Sequence, residues 1–386
     1  MLVSDFDYEL PPELIAQEPA PRRDASRLLV VNRTDNSLTD TSFDNLTEYM
    51  RAGDVLVLNN SRVFPARLIG RIVGKGGDKS PVQPRKIELF LVRRIAGLVW
   101  EALAKPGRIA RVGTQIAVAA DNDPYVEEAT LIGEIVKWLP NGRRIVEFKP
   151  TVADFDSLVD RLGMTPLPPY IKRADRRRID AERYQTVYAK ERGSIAAPTA
   201  GLHFTQELLD TLRSSGVQVV EITHHVGYGT FQPVRAERVD QHQIESETYS
   251  VGQETARCLT EALACGRRVI AVGTTTTRAL ESAAISTDAE PAPHQPVPTA
   301  GQSQGSGAFA TKARVRAGYS NTELFIYPGY RFRVLGGLIT NFHLPRSSLL
   351  MLVSAFAGQD LIVKAYRHAV EARYRFYSYG DAMLIL

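Results

Sequence analysis

Hydrophobic and polar positions divide the chain into regions of different period. Between Arg67 and Phe148, apolar and polar residues alternate in six short segments: Arg67–Val73, Lys86–Val92, Val99–Ala104, Gln115–Ala119, Ala129–Trp138 and Arg144–Phe148. Gly, Pro and Asn separate them, as at Gly74, Gly76, Pro106, Gly107, Gly113, Pro140, Asn141 and Gly142. Successive strand side chains point to opposite faces, so this period-two pattern predicts a small antiparallel sheet or barrel. On either side the pattern changes. Val55–Leu58, Val217–Ile222 and Val269–Val272 are short, unalternated apolar runs, as expected of strands covered on both faces. Helical patterns lie between such runs. Thr205 is placed to cap a helix that stops at Gly216, and Thr276 or a neighbouring threonine to cap Arg278–Ala284. Ser347 opens a helix over 348–356, ahead of Gly358, and Leu361, Ile362, Ala365, Tyr366 and Ala369 recur at helical spacing up to Tyr374. Strands alternating with helices predict an α/β layered domain with a mostly parallel sheet. The expected organisation is a main α/β domain over 1–66 and 152–386, with an inserted antiparallel β-barrel at 67–151. The segment 287–317, rich in Pro, Ser, Gln and Gly at its start, is expected to be a mobile loop.

Composition narrows the function classes. A chain of 386 residues, 44% hydrophobic and 23% charged, buries a core without staples and has the make-up of an ordinary globular protein. Cys258 and Cys265, the two cysteines, are too few for a disulfide scaffold or a four-thiolate metal site. The net charge of +4 permits nucleic acid as a partner without demanding it. Asp5, Asp7 and Glu9 interrupt the N-terminal apolar residues, so no signal-peptide pattern is present. No apolar run approaches the ~20 residues of a membrane helix, so a cytoplasmic protein without membrane association is expected.

Candidate chemistry gathers in four polar loops, each at a predicted strand end or helix start: Ala196–Thr205, His224–Phe231, Gly273–Arg278 and Thr340–Ser348. Ligands of open α/β sheets bind beyond the carboxyl ends of strands, and hydroxyls with free N–H groups there suit a polar or anionic ligand. His203, His225 and His343 occupy three of these loops. A lone loop histidine or a Thr/Ser cap is often only structural; recurrence across four loops is what favours a site. Gly273-Thr-Thr-Thr-Thr-Arg278 lacks the lysine and spacing of a P-loop, and Gly305-Ser-Gly307-Ala-Phe-Ala310 lacks the strand that a dinucleotide fingerprint needs. His242 and Glu245 have one-turn spacing but no second ligand pair, so no metal site is expected. Lys172–Arg183 carries six basic and three acidic residues beside Tyr170, Tyr184 and Tyr188. That composition suits phosphates and bases, or equally a solvated helix face. The aromatic and basic residues from Tyr366 to Tyr377 have helical spacing, which favours packing.

These residues also carry a family likeness. Leu58-Asn-Asn-Ser-Arg-Val-Phe-Pro-Ala-Arg67, Tyr184-Gln-Thr-Val-Tyr-Ala189, Ala196-Ala-Pro-Thr-Ala-Gly-Leu-His-Phe-Thr205 and His225-Val-Gly-Tyr-Gly-Thr-Phe231 resemble motifs of the S-adenosylmethionine:tRNA ribosyltransferase-isomerases of queuosine biosynthesis. So do Val272-Gly-Thr-Thr, Phe325-Ile-Tyr-Pro-Gly-Tyr330, Leu338-Ile-Thr-Asn-Phe-His-Leu-Pro345 and Tyr374-Arg-Phe-Tyr-Ser-Tyr-Gly-Asp-Ala-Met383. The likeness runs from Asp7 to the C-terminus. It implies an α/β domain with an inserted β-barrel, and a transferase-isomerase that moves the ribosyl portion of S-adenosylmethionine onto 7-aminomethyl-7-deazaguanine in a tRNA anticodon. Adenine and methionine leave and the ribose becomes an epoxycyclopentane, giving epoxyqueuosine-tRNA. S-adenosylmethionine is then a substrate and no other cofactor is implied; the anticodon stem-loop is the expected RNA partner and a monomer the expected state.

Such chemistry requires a base at the 5′-carbon acidified by the sulfonium, help for departing adenine, and an unprotonated attacking amine. The expected acid/base residues are His203, His225 and His343, converging in one hollow. Expected substrate contacts are Thr199, Gly201, Gly227, Gly229, Thr230, Thr274, Thr275, Arg278, Thr340 and Asn341, with Glu281 and Asp381 as lesser candidates. Arg62, Arg67, Lys172, Arg173, Arg176, Arg177, Arg178 and Tyr184 are the expected tRNA contacts. Two positions depart from the family pattern: Glu245 stands where a histidine is usual, and Gly336 where an aspartate is usual. They leave open a diverged RNA-binding paralogue, or an enzyme acting on a free nucleoside.

Overall fold

The computed structural model describes residues 1–75, 85–119, 131–150, 154–172, 179–285 and 313–386. The chain forms two compact units: Met1–Arg62 with Pro168–Arg176 and Arg183–Leu386, and Val63–Leu167 with Arg177–Glu182. In chain order, the principal strands of the first unit's N-terminal part are β1 (Arg27–Asn32), β2 (Ser37–Ser42) and β3 (Val55–Asn59). The second unit holds β4 (Arg67–Lys75), β5 (Lys86–Ala96), β6 (Val99–Lys105), β7 (Thr114–Val118), β8 (Leu131–Trp138) and β9 (Arg144–Pro150). The first unit resumes with β10 (Gln218–His224), β11 (Glu247–Val251), β12 (Val269–Val272), β13 (Gly318–Thr322), β14 (Gly337–Asn341) and β15 (Ala382–Ile385).

The second unit is the closed barrel expected from the alternating segments, its strands antiparallel and ordered β9-β6-β5-β4-β7-β8. Ile87, Leu89 and Leu91 alternate along β5 as its buried row, and Ile116, Leu131, Ile135 and Val146 join them inside. Gly133 faces the Phe148 ring so closely that a Cβ would stand 2.8 Å from it. This unit extends beyond the 67–151 expected. Helix Phe155–Leu162 belongs to it, because Phe155 stacks on Trp100 (ring centroids 5.8 Å apart) and meets Phe148 at 5.3 Å.

Among the described residues, the first unit's main sheet has nine strands in the order β13-β11-β10-β3-β12-β14-β15-β1-β2. Its centre, β10-β3-β12-β14, is parallel; β15 pairs parallel with β1, and the other neighbours are antiparallel. The unalternated runs are explained by cover on both faces. Leu56, Leu58, Ile270, Val272 and Ile339 pack with Phe43 and helix Gln206–Ser214 on one side. Val55, Val57, Val269, Ala271 and Leu338 pack on the other, with helices Gln253–Ala264, Thr274–Ala283, Ser348–Ala357 and Gln359–Glu371. Each such fully buried aliphatic side chain contributes about 1.5–3 kcal/mol.

Helix starts follow local chemistry. Thr205 Oγ1 accepts from Leu208 N–H at 3.1 Å, and Ser347 Oγ from Leu350 N–H at 3.2 Å, as the sequence predicts. The threonine run differs from expectation. Gly273, at φ 94°, turns the chain directly from β12 into a helix that begins at Thr274 without a side-chain cap. Thr276 and Thr277 therefore lie within the first turn, and their hydroxyls donate back to the carbonyls of Val272 (2.6 Å) and Gly273 (3.2 Å). Of the loop expected at 287–317, residues 287–312 lie outside the described residues. Within the rest of that segment, Arg314–Val315 forms a short strand paired with Ala284–Ile285, and Val315 is buried in the core.

Candidate active site

The loops that leave β10, β12 and β14 at their carboxyl ends, together with Ala196–Ala200, enclose a cavity of about 400 Å³. All four loops read from the sequence contribute to its wall: Ala196, Ala197 and Thr199; Val226 and Thr230; Gly273, Thr274 and Thr275; Thr340, Asn341 and His343. Tyr170, Tyr184, Tyr377 and Ser378 complete it. Two helices, Thr274–Ala283 and Ser348–Ala357, bring their N-terminal residues to this wall, so their positive ends favour negative charge in the cavity.

His343 lies in the cavity wall and is held by its own backbone: its N–H donates to the Tyr366 hydroxyl (2.9 Å) and its carbonyl accepts from the Tyr8 hydroxyl. Nε2 is 2.9 Å from Thr340 Oγ1. Burial lowers its pKa to about 3, so the ring is neutral at pH 7 and available as a base. Asn341 donates through Nδ2 to His203 Nε2 (3.0 Å) and to the Tyr377 carbonyl (3.1 Å). Its Oδ1, like the Tyr377 hydroxyl, is buried with no protein partner. A buried acceptor left unmet costs about 1–3 kcal/mol, which a ligand N–H or O–H returns.

The three expected histidines do not converge. His203 stands behind Asn341 instead of in the cavity wall. Its Nε2 accepts from Asn341, so Nδ1 carries the proton and donates to Ser26 Oγ at 2.7 Å. Burial, aided by Arg375 and Arg23, lowers its pKa to about 3. His203 thus orients Asn341 as a neutral ring. His225 is absent from the wall as well. Its ring covers Gly193, where a Cβ would stand 2.6 Å from Cε1, and burial lowers its pKa.

The adjacent histidine, which sequence reading passed over, has a stronger setting. His224 is fully buried, with Nδ1 2.8 Å from the Thr275 carbonyl and Nε2 3.0 Å from Glu247 Oε2. Both neighbours are acceptors, so each ring nitrogen lies against an oxygen. Glu247 Oε2 also receives Arg278 Nη1 at 2.5 Å, and Oε1 receives the Gly227 N–H at 2.7 Å. The signal for this cluster was Glu247 itself, a carboxylate in register with the buried Tyr249 and Val251 along β11.

Thr199, Thr230, Thr274, Thr275, Thr340 and Asn341 all line the cavity. Arg278 and Gly229 instead line a recess of about 50 Å³ beside it, together with Glu245. Gly201 and Gly227 line neither. A Cβ at Gly201 would stand 2.1 Å from the Tyr188 hydroxyl, so that glycine permits close packing. Glu281 accepts from the N–H groups of Val334 and Leu335 (both 3.0 Å), and Asp381 from those of Arg27 (3.0 Å) and Arg375 (2.7 Å); both carboxylates tie the fold together. Gly336 precedes β14 at the foot of the strand, ~13 Å along it from Thr340 at a rise of about 3.3 Å per residue. An aspartate there would be remote from the cavity.

Among the expected tRNA contacts, Arg62 and Lys172 are exposed. Arg67 is engaged by Glu88 through two bonds of 2.8 and 3.1 Å. Tyr184 is 1% exposed, in the cavity wall, and edge-on to Tyr379; burial removes it as a surface stacking platform. Arg173, Arg176, Arg177 and Arg178 lie outside the described residues.

A family model described as "Queuosine biosynthesis protein" matches residues 3–385. The S-adenosylmethionine:tRNA ribosyltransferase-isomerase of Halothermothrix orenii is 44% identical over 386 residues, 100% of each chain. That of Carboxydothermus hydrogenoformans is 47% identical over the same length, again 100% of each. A crystal structure of S-adenosylmethionine tRNA ribosyltransferase from Thermotoga maritima is 36% identical, covering 99% of this chain and 100% of that one, at a TM-score of 0.49. By the matched family and by relatives that are similar from end to end, the chain belongs to the queuosine biosynthesis family of S-adenosylmethionine:tRNA ribosyltransferase-isomerases.

Proposed function

We propose that the cavity is where this enzyme dismantles S-adenosylmethionine and transfers its ribosyl portion to 7-aminomethyl-7-deazaguanine in the anticodon stem-loop of tRNA, releasing adenine and methionine. The observation that carries this reading is a neutral, backbone-pinned His343 beside the unpartnered Asn341 Oδ1 in one cavity. His343 takes the proton from the 5′-carbon, whose acidity comes from the adjoining sulfonium. Asn341 receives a substrate N–H or O–H, and His203 holds that amide in place from behind. As the bond to adenine breaks, charge builds on the departing base; the helix ends at Thr274 and Ser348 and the Tyr377 hydroxyl face it. The bond to methionine sulfur breaks, a bond to the tRNA amine forms, and the ribose carbons close into the epoxycyclopentane. S-adenosylmethionine is consumed and no cofactor takes part. The enzyme works in the cytoplasm as a monomer, away from membranes, and Arg62 and Lys172 meet tRNA phosphates.

Two isotopic labels test this reading. With tRNA carrying the deazaguanine precursor, label in the ribosyl carbons enters RNA and label in the sulfonium methyl leaves with methionine. Methyl label in the RNA, adenine release without tRNA, or tRNA retention without adenine release would each overturn it.

A further inference from the structure

The recess beside the cavity holds a charge arrangement that the transfer chemistry leaves unused. Arg278, 6% exposed, spends Nε on the Leu324 carbonyl (2.9 Å) and Nη1 on Glu247 (2.5 Å), while its Nη2 is buried without a protein partner. Glu247 already accepts from Arg278 Nη1, His224 and the Gly227 N–H, and it makes no bond to Nη2. A second acidic side chain, Glu245, lines the same recess. Thr230, Gln232, Thr275, Ser348 and Leu349 line both the recess and the cavity, so the two spaces adjoin. At about 50 Å³ the recess has room for a few heavy atoms and none for a base or a sugar ring. A buried guanidinium nitrogen left without a partner and an acidic side chain lining the same small space match a zwitterion.

We infer that this recess is an α-amino-acid subsite in which Arg278 Nη2 takes the carboxylate, and Glu245 the ammonium, of the methionine portion of S-adenosylmethionine. The inference rests on the functional reading above. It adds that the amino-acid head, remote from the reacting carbons, anchors the nucleoside so that its ribose stays beside His343.

Calorimetric titration with three sulfonium nucleosides tests it. They are S-adenosylmethionine, its decarboxylated form, which keeps the ammonium, and 5′-deoxy-5′-dimethylsulfonioadenosine, which has no amino-acid head. Arg278→Lys keeps a cation for Glu247 and withdraws the second nitrogen. It is expected to weaken S-adenosylmethionine about tenfold or more, as loss of a charged hydrogen bond does, and to leave the other two nucleosides unchanged. Glu245→Gln, in the recess wall, is expected to weaken both ammonium-bearing nucleosides and leave the headless one alone. The inference is overturned if the wild type binds the headless nucleoside as tightly as S-adenosylmethionine, or if either variant weakens all three alike. A wild type that binds none of the three overturns the functional reading itself, which is a different result.

Discussion

Replacing Glu247 by glutamine removes one charge from a buried cluster and leaves its shape. Burial alone would raise this carboxyl, but Arg278, then His224 and the Gly227 N–H, outweigh it and hold its pKa at about 2 against an ordinary 4.5. Linkage makes that difference worth about 3 kcal/mol of folding stability at neutral pH. Because the folded value is the lower one, the contribution is complete above pH ~4.5 and disappears as pH falls toward 2. A similar magnitude, ~3–5 kcal/mol, follows from stranding Arg278 in the interior without its partner. The assay is urea unfolding followed by circular dichroism at 222 nm, where helices such as Gln253–Ala264, Thr274–Ala283 and Gln359–Glu371 dominate. Glu247→Gln is expected to lose about 3 kcal/mol at pH 7, and the gap to the wild type to fall below half of that by about pH 3. A loss under about 1 kcal/mol at pH 7, or a gap that stays constant from pH 7 to pH 3, would refute the assignment of Glu247 as the ionised centre of the cluster.

Other expectations follow from single residues. His343→Gln should lower turnover about 10²–10⁴-fold while S-adenosylmethionine affinity changes little. Since burial lowers the His343 pKa to about 3, its base form persists across neutral pH, and kcat should show no histidine limb near 6.5; a limb there that the variant abolishes would contradict this. Ser347→Ala removes the cap from helix Ser348–Ala357 and should cost about 1 kcal/mol, read as a fall of about 2–4 °C in Tm. If the exposed Arg62 and Lys172 each meet a phosphate, raising salt from about 50 to 200 mM should weaken tRNA binding about tenfold through these two contacts, and reversing both charges should flatten the log–log salt slope by ~1.8.

The central strands were legible because a strand buried on both faces has no alternative to an unbroken apolar run, and Val55–Leu58 and Val269–Val272 are such runs. The barrel announced itself through period two, and Thr205 and Ser347 through the hydroxyl that a helix start requires. Four loops gathering at one sheet edge also followed from the topology of parallel strands. What a chain pattern does not encode is which way a loop side chain turns. His203 and His343 sit in motifs of equal polarity, yet one faces the cavity and the other supports Asn341 from behind. The Glu247–Arg278–His224 cluster joins residues from β10, β11 and the helix after β12, and only the sheet order brings them together. Tyr184 was misread for a related reason: a tyrosine beside a basic run suggests a surface, whereas its ring packs edge-on to Tyr379 in the interior.

The site itself is tested most directly by filling the cavity. Thr199 is half-buried in its wall, and Thr199→Trp would place an indole in the space assigned to the sulfonium nucleoside. With tRNA affinity measured alongside, S-adenosylmethionine binding should weaken by about a hundredfold, the ~3 kcal/mol range of an occluded buried site, while tRNA binding holds. Undiminished S-adenosylmethionine affinity in a folded Thr199→Trp protein would place the chemistry somewhere other than this cavity.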